Sequence, residues 1–255
     1  MSGWAGTHFY YVVLGALCGA IGFRLGWRIP PRAGLPFGLP LTQAVFGYLG
    51  FVATWRGLGP SRALLVELGW ALGTSAVALY VFRHTSEEEV DARVWRAARY
   101  RNEMFAWLRS GRGFASRPLA TAGRHLVELA VYLAVALISA NFLAMILGAA
   151  LLNYMNAYVA SLLRAARQPF TVALLGWNVW SVIRVVAYVL LGVAATGPLA
   201  KLGGYPVWPG MFDAYWLAGG IGVAVDLLLK LILSRPCGRR LGAAIDPAAL
   251  TADGG

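Results

Sequence analysis

The sequence predicts an all-α fold: a polytopic integral membrane helix bundle, with one amphipathic helix outside the bilayer. Of its 255 residues, 59% are hydrophobic and 13% charged, and the mean hydropathy is +0.63. A soluble domain carries roughly 25% charged residues, so this chain cannot cover its surface in water and needs lipid as part of its solvent. Apolar runs close to the ~20 residues that cross a bilayer recur along the chain. Together these observations exclude a soluble enzyme, a secreted disulfide scaffold and a disordered tail protein. The net charge of +11, from 22 basic and 11 acidic residues, is expected to record membrane orientation, and no nucleic-acid partner is needed to explain it.

The first predicted span is 9–27. It carries Gly15-x-x-x-Gly19 and Gly22-x-x-x-Gly26, a spacing that lets a second helix approach closely. Residues 1–8 hold no basic n-region, so no cleaved signal peptide is expected. Arg24, Arg28 and Arg32 close this segment and place the N-terminus outside and the arginines in the cytoplasm. A proline-rich loop around Pro30, Pro31, Pro36 and Pro40 leads to a short second span, 39–55, with a re-entrant segment as the alternative, and then to a third span, 63–82.

Composition changes at 83–116, which holds five of the eleven acids. Ser86 followed by Glu89 is a capping-box pattern, and Glu87, Glu88 and Glu89 suit a first helical turn. Val90, Val94, Ala97, Met104 and Leu108 fall at helical spacing, with Trp95, Phe105 and Trp107 nearby and Arg93, Arg96 and Arg99 interleaved. The segment reads as an amphipathic cytoplasmic helix ending near Gly111. It either lies on anionic lipid headgroups or packs on its own bundle.

Residues 119–163 are too long and too apolar for one span. Two spans, 119–138 and 142–163, require a turn at Ser139-Ala140-Asn141, which has neither Gly nor Pro. Charge favours the division. With seven spans, seventeen of the 22 basic residues fall inside and three outside. With six spans the split is thirteen against seven, so seven is preferred and six is the alternative. Spans 170–196 and 211–233 complete the set, joined by a loop in which Trp208 suits the outer interface. The chain therefore divides into a three-span part (1–82), a cytoplasmic segment (83–118), a four-span part (119–235) and a disordered tail (236–255). The expected location is the cell (cytoplasmic) membrane, with the N-terminus outside and the C-terminus cytoplasmic.

Ionisable groups inside spans mark candidate sites. Arg184 is the deepest, on a stripe with Trp177, Ser181 and Tyr188, and Asn178 lies beside it. Asp226 lies on a face with Tyr215, Gly219, Gly222 and Lys230. Arg184 and Asp226 fall at similar depth on consecutive antiparallel helices, and a buried arginine needs a carboxylate, so the pair is either a solute-binding element or a neutralised interhelical clasp. Glu128 is a further candidate. Lys230 lies near an inner end where it can snorkel, and Glu67, another candidate close to an outer end, reads more as an interface residue than as a gate. Asn153 and Asn156 read as interhelical hydrogen-bonding groups.

Glu88-Glu89-x-x-x-Arg93 resembles one element of the membrane-embedded CAAX-type proteases, but that family's His-containing motifs do not occur. Asp226-x-x-x-Lys230 is similar to the Schiff-base helix of microbial rhodopsins, but the arginine-plus-carboxylate counter-ion pattern of an earlier span is missing. Cys18 and Cys237 read as unpaired thiols. His8, His84 and His125 have no metal or haem spacing, so no cofactor is expected. The favoured function is a transporter or channel-type protein for a small or anionic solute, binding through Arg184, Asp226, Asn178, Ser181, Tyr188 and Glu128. The alternative is a non-catalytic membrane subunit or assembly partner, docking through the first-span glycines and the amphipathic helix. A homo-oligomer or a place in a larger membrane complex is expected.

Overall fold

A computed structural model describes residues 2–30, 37–111, 118–204, 210–246 and 248. The centre of the proline-rich loop, the basic stretch 112–117, the loop with Trp208 and residues 249–255 lie outside the described residues. Among the described residues the chain is α-helical and without strands. The helices are α1 (Ser2–Arg28), α2 (Gly38–Leu58), α3 (Pro60–Arg83), α4 (Glu87–Arg93), α5 (Ala97–Ser110), α6 (Pro118–Ser139), α7 (Phe142–Arg164), α8 (Pro169–Gly176), α9 (Val179–Leu202) and α10 (Met211–Ala243). Six stretches are long and apolar enough to cross a membrane: within α1, within α6, all of α3, α7 and α10, and the α8–α9 pair.

The first three helices interlock through glycine. Gly15 and Gly19 of α1 lie on the Val66 and Trp70 carbonyls, while Gly69 and Gly73 of α3 lie on the Val12 and Ala16 carbonyls. A Cβ at any of the four would come within 1.9–2.4 Å of a backbone oxygen. Only hydrogen fits, and the rising register shows that α1 and α3 run parallel. On α2 the register is reversed, with Gly22 against Gln43 and Gly26 against Leu39. This helix therefore returns the chain along α1 to the start of α3. At 21 residues it is long enough to traverse with them; Thr42, Gln43, Thr54 and Arg56 make it less apolar. The glycine face expected to receive a partner is occupied inside this chain.

The helix break expected at Ser139-Ala140-Asn141 is present. Ala140 and Asn141 both have positive φ, 48° and 76°, and Asn tolerates that region better than most non-glycine residues. Ser139 Oγ donates to the Val135 carbonyl and accepts from the Leu143 amide, at 2.5 and 2.9 Å. The corner thus supplies its own end caps where glycine is missing. Beyond it, α7 packs on α3 and antiparallel to α2, where Gln43 and Asn153 exchange two amide hydrogen bonds (3.0 and 2.8 Å) in the buried interface.

The segment after α3 differs from the single helix expected. It breaks at Val94–Arg96, with Arg96 at φ 61°, and forms α4 and α5. Ser86 caps α4 by accepting from the Glu89 amide. Both helices lie on the bundle: Phe105 and Trp107 are buried, and Tyr100 meets the rings of Tyr154 and Tyr158. Arginines tie them down by capping helix C-termini. Arg93 donates to the Trp27 and Ile29 carbonyls at the end of α1. Arg164 donates to Phe82 and Thr85 at the end of α3, and to Glu87 at 2.6 Å. Arg101 lies bidentate on Asp91 and reaches Glu87. Burial works against the charge of Glu87, but the hydrogen bonds from Ser161 and Arg164, with the charge of Arg101, hold its carboxyl below the ordinary value.

The span expected as one helix over 170–196 is interrupted at Trp177–Asn178, where Asn178 has φ 38°. The stretch expected as a tail begins inside α10, which runs through Pro236 to Ala243. Leu241, Ala244 and Ile245 are buried against Phe105, Tyr158 and Leu162. The amides of Arg167 and Gln168 donate to the Ala244 carbonyl, and that of Asp246 to Ala165, so the α7–α8 turn is fastened to the end of α10.

Candidate functional site

Helices α3, α5, α6, α7, α9 and α10 enclose a cavity of about 140 Å³. Its polar wall comes from three helices whose residues repeat every three or four positions and so share a face. Helix α6 gives Arg124, His125, Glu128 and Tyr132; α9 gives Ser181, Arg184 and Tyr188; α10 gives Lys230 and Ser234. The rest of the lining includes apolar and aromatic side chains, Met145, Leu152, Tyr154 and Met155 of α7, and Trp180 beside the α9 stripe. Tyr100, Glu103, Met104 and Trp107 of α5 stand at the end where the chain's arginines collect. The amphipathic helix thus forms the rim of a cavity, and its burial raises the Tyr100 phenol above its ordinary value.

Arg184 and Asp226 form the charge centre. Nε donates to Oδ2 at 2.8 Å and Nη2 to Oδ1 at 2.9 Å, the two parallel bonds that suit a guanidinium and a carboxylate. The Asp226 side chain is 2% exposed and lies behind the arginine, whose own side chain is 21% exposed and lines the cavity. Among the described residues Asp226 is the acceptor for Arg184, which uses two of five N–H groups. The rest of the guanidinium edge is left to the cavity. Helix α9 approaches α10 closely here because Gly219 and Gly222 receive Leu191 and Ala187.

The six residues singled out from sequence lie around one space. Five line the cavity, Arg184, Asn178, Ser181, Tyr188 and Glu128, and Asp226 holds Arg184 from behind. Glu128 accepts from Arg124 at 2.9 Å, one turn away on α6. Tyr188 lies against Tyr132, with ring centroids 4.9 Å apart. The break before α9 puts Asn178 and Ser181 at a helix N-terminus on this wall, a location that favours negative charge. Asn178 Oδ1 is buried and has no hydrogen-bond partner among the described residues.

Among the lining residues that were not singled out as site residues are Lys230, Tyr132, Tyr154 and Glu67. Lys230 is 8% exposed and lies in the cavity wall; it does not snorkel to the surface. Tyr132 continues the Arg124–Glu128 stripe at i+4, a spacing visible in the sequence. Tyr154 faces the cavity from α7. Glu67, expected at an interface, is 1% exposed and lies at the end of the cavity away from the arginines, where it accepts from Asn141 Nδ2 at 2.8 Å. No cluster of metal-ligating side chains occurs among the described residues. Compared with protein families, curated proteins and solved structures, the chain has no significant match.

Proposed function

We propose that this membrane protein is a transporter or channel-type protein that binds a small anionic solute at Arg184. The observation that carries the reading is the guanidinium held by Asp226 in the wall of a cavity inside a membrane bundle. A buried pair that served packing alone would close both edges of the arginine, whereas here one edge faces space. Ser181, Asn178 and the N-terminus of α9 add donors on the same wall. The apolar α7 side excludes water and strengthens these interactions.

The basic end of the bundle belongs in the cytoplasm on the positive-inside rule, with the N-terminus outside. Thiol labelling of intact cells tests this: Ser61→Cys reacts with a membrane-impermeant reagent and Cys237 does not, and the reverse pattern overturns the orientation. The subunit reading has lost one support, because the first-span glycines pack on α2 and α3.

The functional test is tracer uptake of phosphate, chloride and short carboxylates into proteoliposomes. The wild type takes up at least one of them, and Arg184→Ala abolishes that uptake while remaining monodisperse in detergent. Equal uptake by the variant, or none by the wild type, overturns the proposal.

A further inference from the structure

We propose that Glu67 is a proton-binding site built into the partition between two cavities, and that it couples solute movement to protons. The coupling role rests on the transport reading above; the proton site stands on its own geometry.

The cavity around Arg184 also reaches Glu67, Trp70, Ala144 and Met145, all buried. A second cavity, of about 200 Å³, lies on the far side of the α6–α7 corner and is lined by Tyr48, Trp55, Arg56, Ala140 and Thr196 among others. The partition between them includes that corner. Ala140 faces the second cavity, and the next residue, Asn141, is fully buried and donates to Glu67 of the first. Gly192 of α9 lets the corner seat, since a Cβ there would meet Asn141 Oδ1 at 2.5 Å and Tyr132 Oη at 2.7 Å. At this corner the hydrogen bond is therefore a carboxylate on an amide.

Among the described residues no ion pair reaches Glu67, whose hydrogen bond comes from Asn141; Arg124, Glu128, Arg184 and Lys230 line the same cavity. Helix α6 presents Tyr132, α7 presents Ala144 and Met145, and α9 presents Tyr188 across the cavity. Helix α2 brings Tyr48, which packs on Phe142 beside the corner. On the α1 side Val66 and Trp70 pack against Gly15. Arg62, five residues earlier on α3, is stacked over Tyr11 and donates to the Leu58 carbonyl. Of the two buried acids among the described residues, Asp226 has a guanidinium and Glu67 has an amide.

An ionised carboxylate in a membrane interior with no cation beside it is costly, and its neutral acid far less so. The cavity leads from Glu67 toward Glu128 and Arg124, which are partly exposed at the basic end, so a proton has a route to it. The step is carboxylate plus proton giving carboxylic acid, with no other reactant. It replaces a charge-assisted hydrogen bond from Asn141 with a weaker neutral one, so protonation loosens the partition and ionisation tightens it.

The test is infrared difference spectroscopy of the full chain in lipid vesicles, titrated with acid in light and heavy water. The wild type shows the carbonyl band of a protonated, deuterium-sensitive carboxylic acid that reports a buried group. Glu67→Gln, an isostere that keeps the fold, removes the band, and Glu67→Asp moves it. A band unchanged in Glu67→Gln, or no such band in the wild type at any pH, overturns the proposal. Absent tracer uptake with the band intact overturns the transport reading and leaves the proton site standing.

Discussion

Arg184 and Asp226 meet edge to edge across α9 and α10, with two bonds of 2.8 and 2.9 Å. The carboxylate is enclosed and the guanidinium is open on one side. Such a pair is asymmetric in its energetics. Removing one member strands a buried charge at a cost of roughly 3–5 kcal/mol, whereas replacing both with apolar groups is often near neutral. Arg184→Leu and Asp226→Leu are each expected to lower the detergent-denaturation midpoint, and the double variant to recover most of it. If the pair also serves the solute, the double variant is stable but inactive in the uptake assay.

The interlocked glycines of α1 and α3 make a second expectation. Gly15→Ala places a methyl where the Val66 carbonyl stands, so the helices must separate and lose packing along their length. The variant is expected to lose several kcal/mol of stability, of the order seen for overpacked interiors and above. Gly123→Ala on α6 meets nothing within 4 Å and is expected to be neutral, or stabilising by up to ~1 kcal/mol. Thermal unfolding of the two variants in one detergent compares them directly.

Glu87 fastens α4 to α7 through Ser161 and Arg164. Its folded carboxyl lies below its ordinary value of 4.5. A depressed acid contributes stability that is fully present above the unfolded value and lost as pH falls through the folded one. Protection of amides in residues 87–110, relative to their intrinsic exchange rates, is therefore expected to hold from neutral pH down to about 4.5 and to fall below it. In Glu87→Gln the segment exchanges faster at neutral pH, with a weaker acid dependence.

Asn141 does two separable jobs. Its φ of 76° suits glycine, while its amide reaches Glu67. Asn141→Gly is expected to keep the corner and the fold but to lose the bond to the acid, which shifts the Glu67 infrared band. Asn141→Val cannot adopt that backbone without strain and is expected to unfold at markedly lower temperature.

The helix bundle was legible because hydropathy and the distribution of arginines are local properties of the chain. The corner at Ser139-Ala140-Asn141 could be placed from span length and charge alone, although its capping residue, Ser139, carries no strong sequence signal. The Arg184–Asp226 pair was legible from depth on adjacent helices. Glu67 was not. Its position near a span end says interface, and only the placement of α6, α7 and α9 shows that α3 is covered there. The docking of α4 and α5 was undecided for the same reason: an amphipathic face fits lipid or protein equally until Gly238 of α10 is seen to admit the Trp107 ring. The buried end of α10 was hidden by its basic residues, which read as a solvated tail while Leu241 and Ile245 lie beneath.

Helix α10 has 33 residues, roughly 50 Å at 1.5 Å per residue, which exceeds the ~30 Å of a bilayer core. One element thus carries both Asp226 and Gly238, the seat of Trp107. Between the two lies Pro236, where one backbone bond of the helix is missing. The strut that steadies the arginine also bears the rim of the cavity, and it is stiff along its length except at that joint. A bend there would displace the seat of Trp107 relative to Asp226, which lies on the other side of the joint.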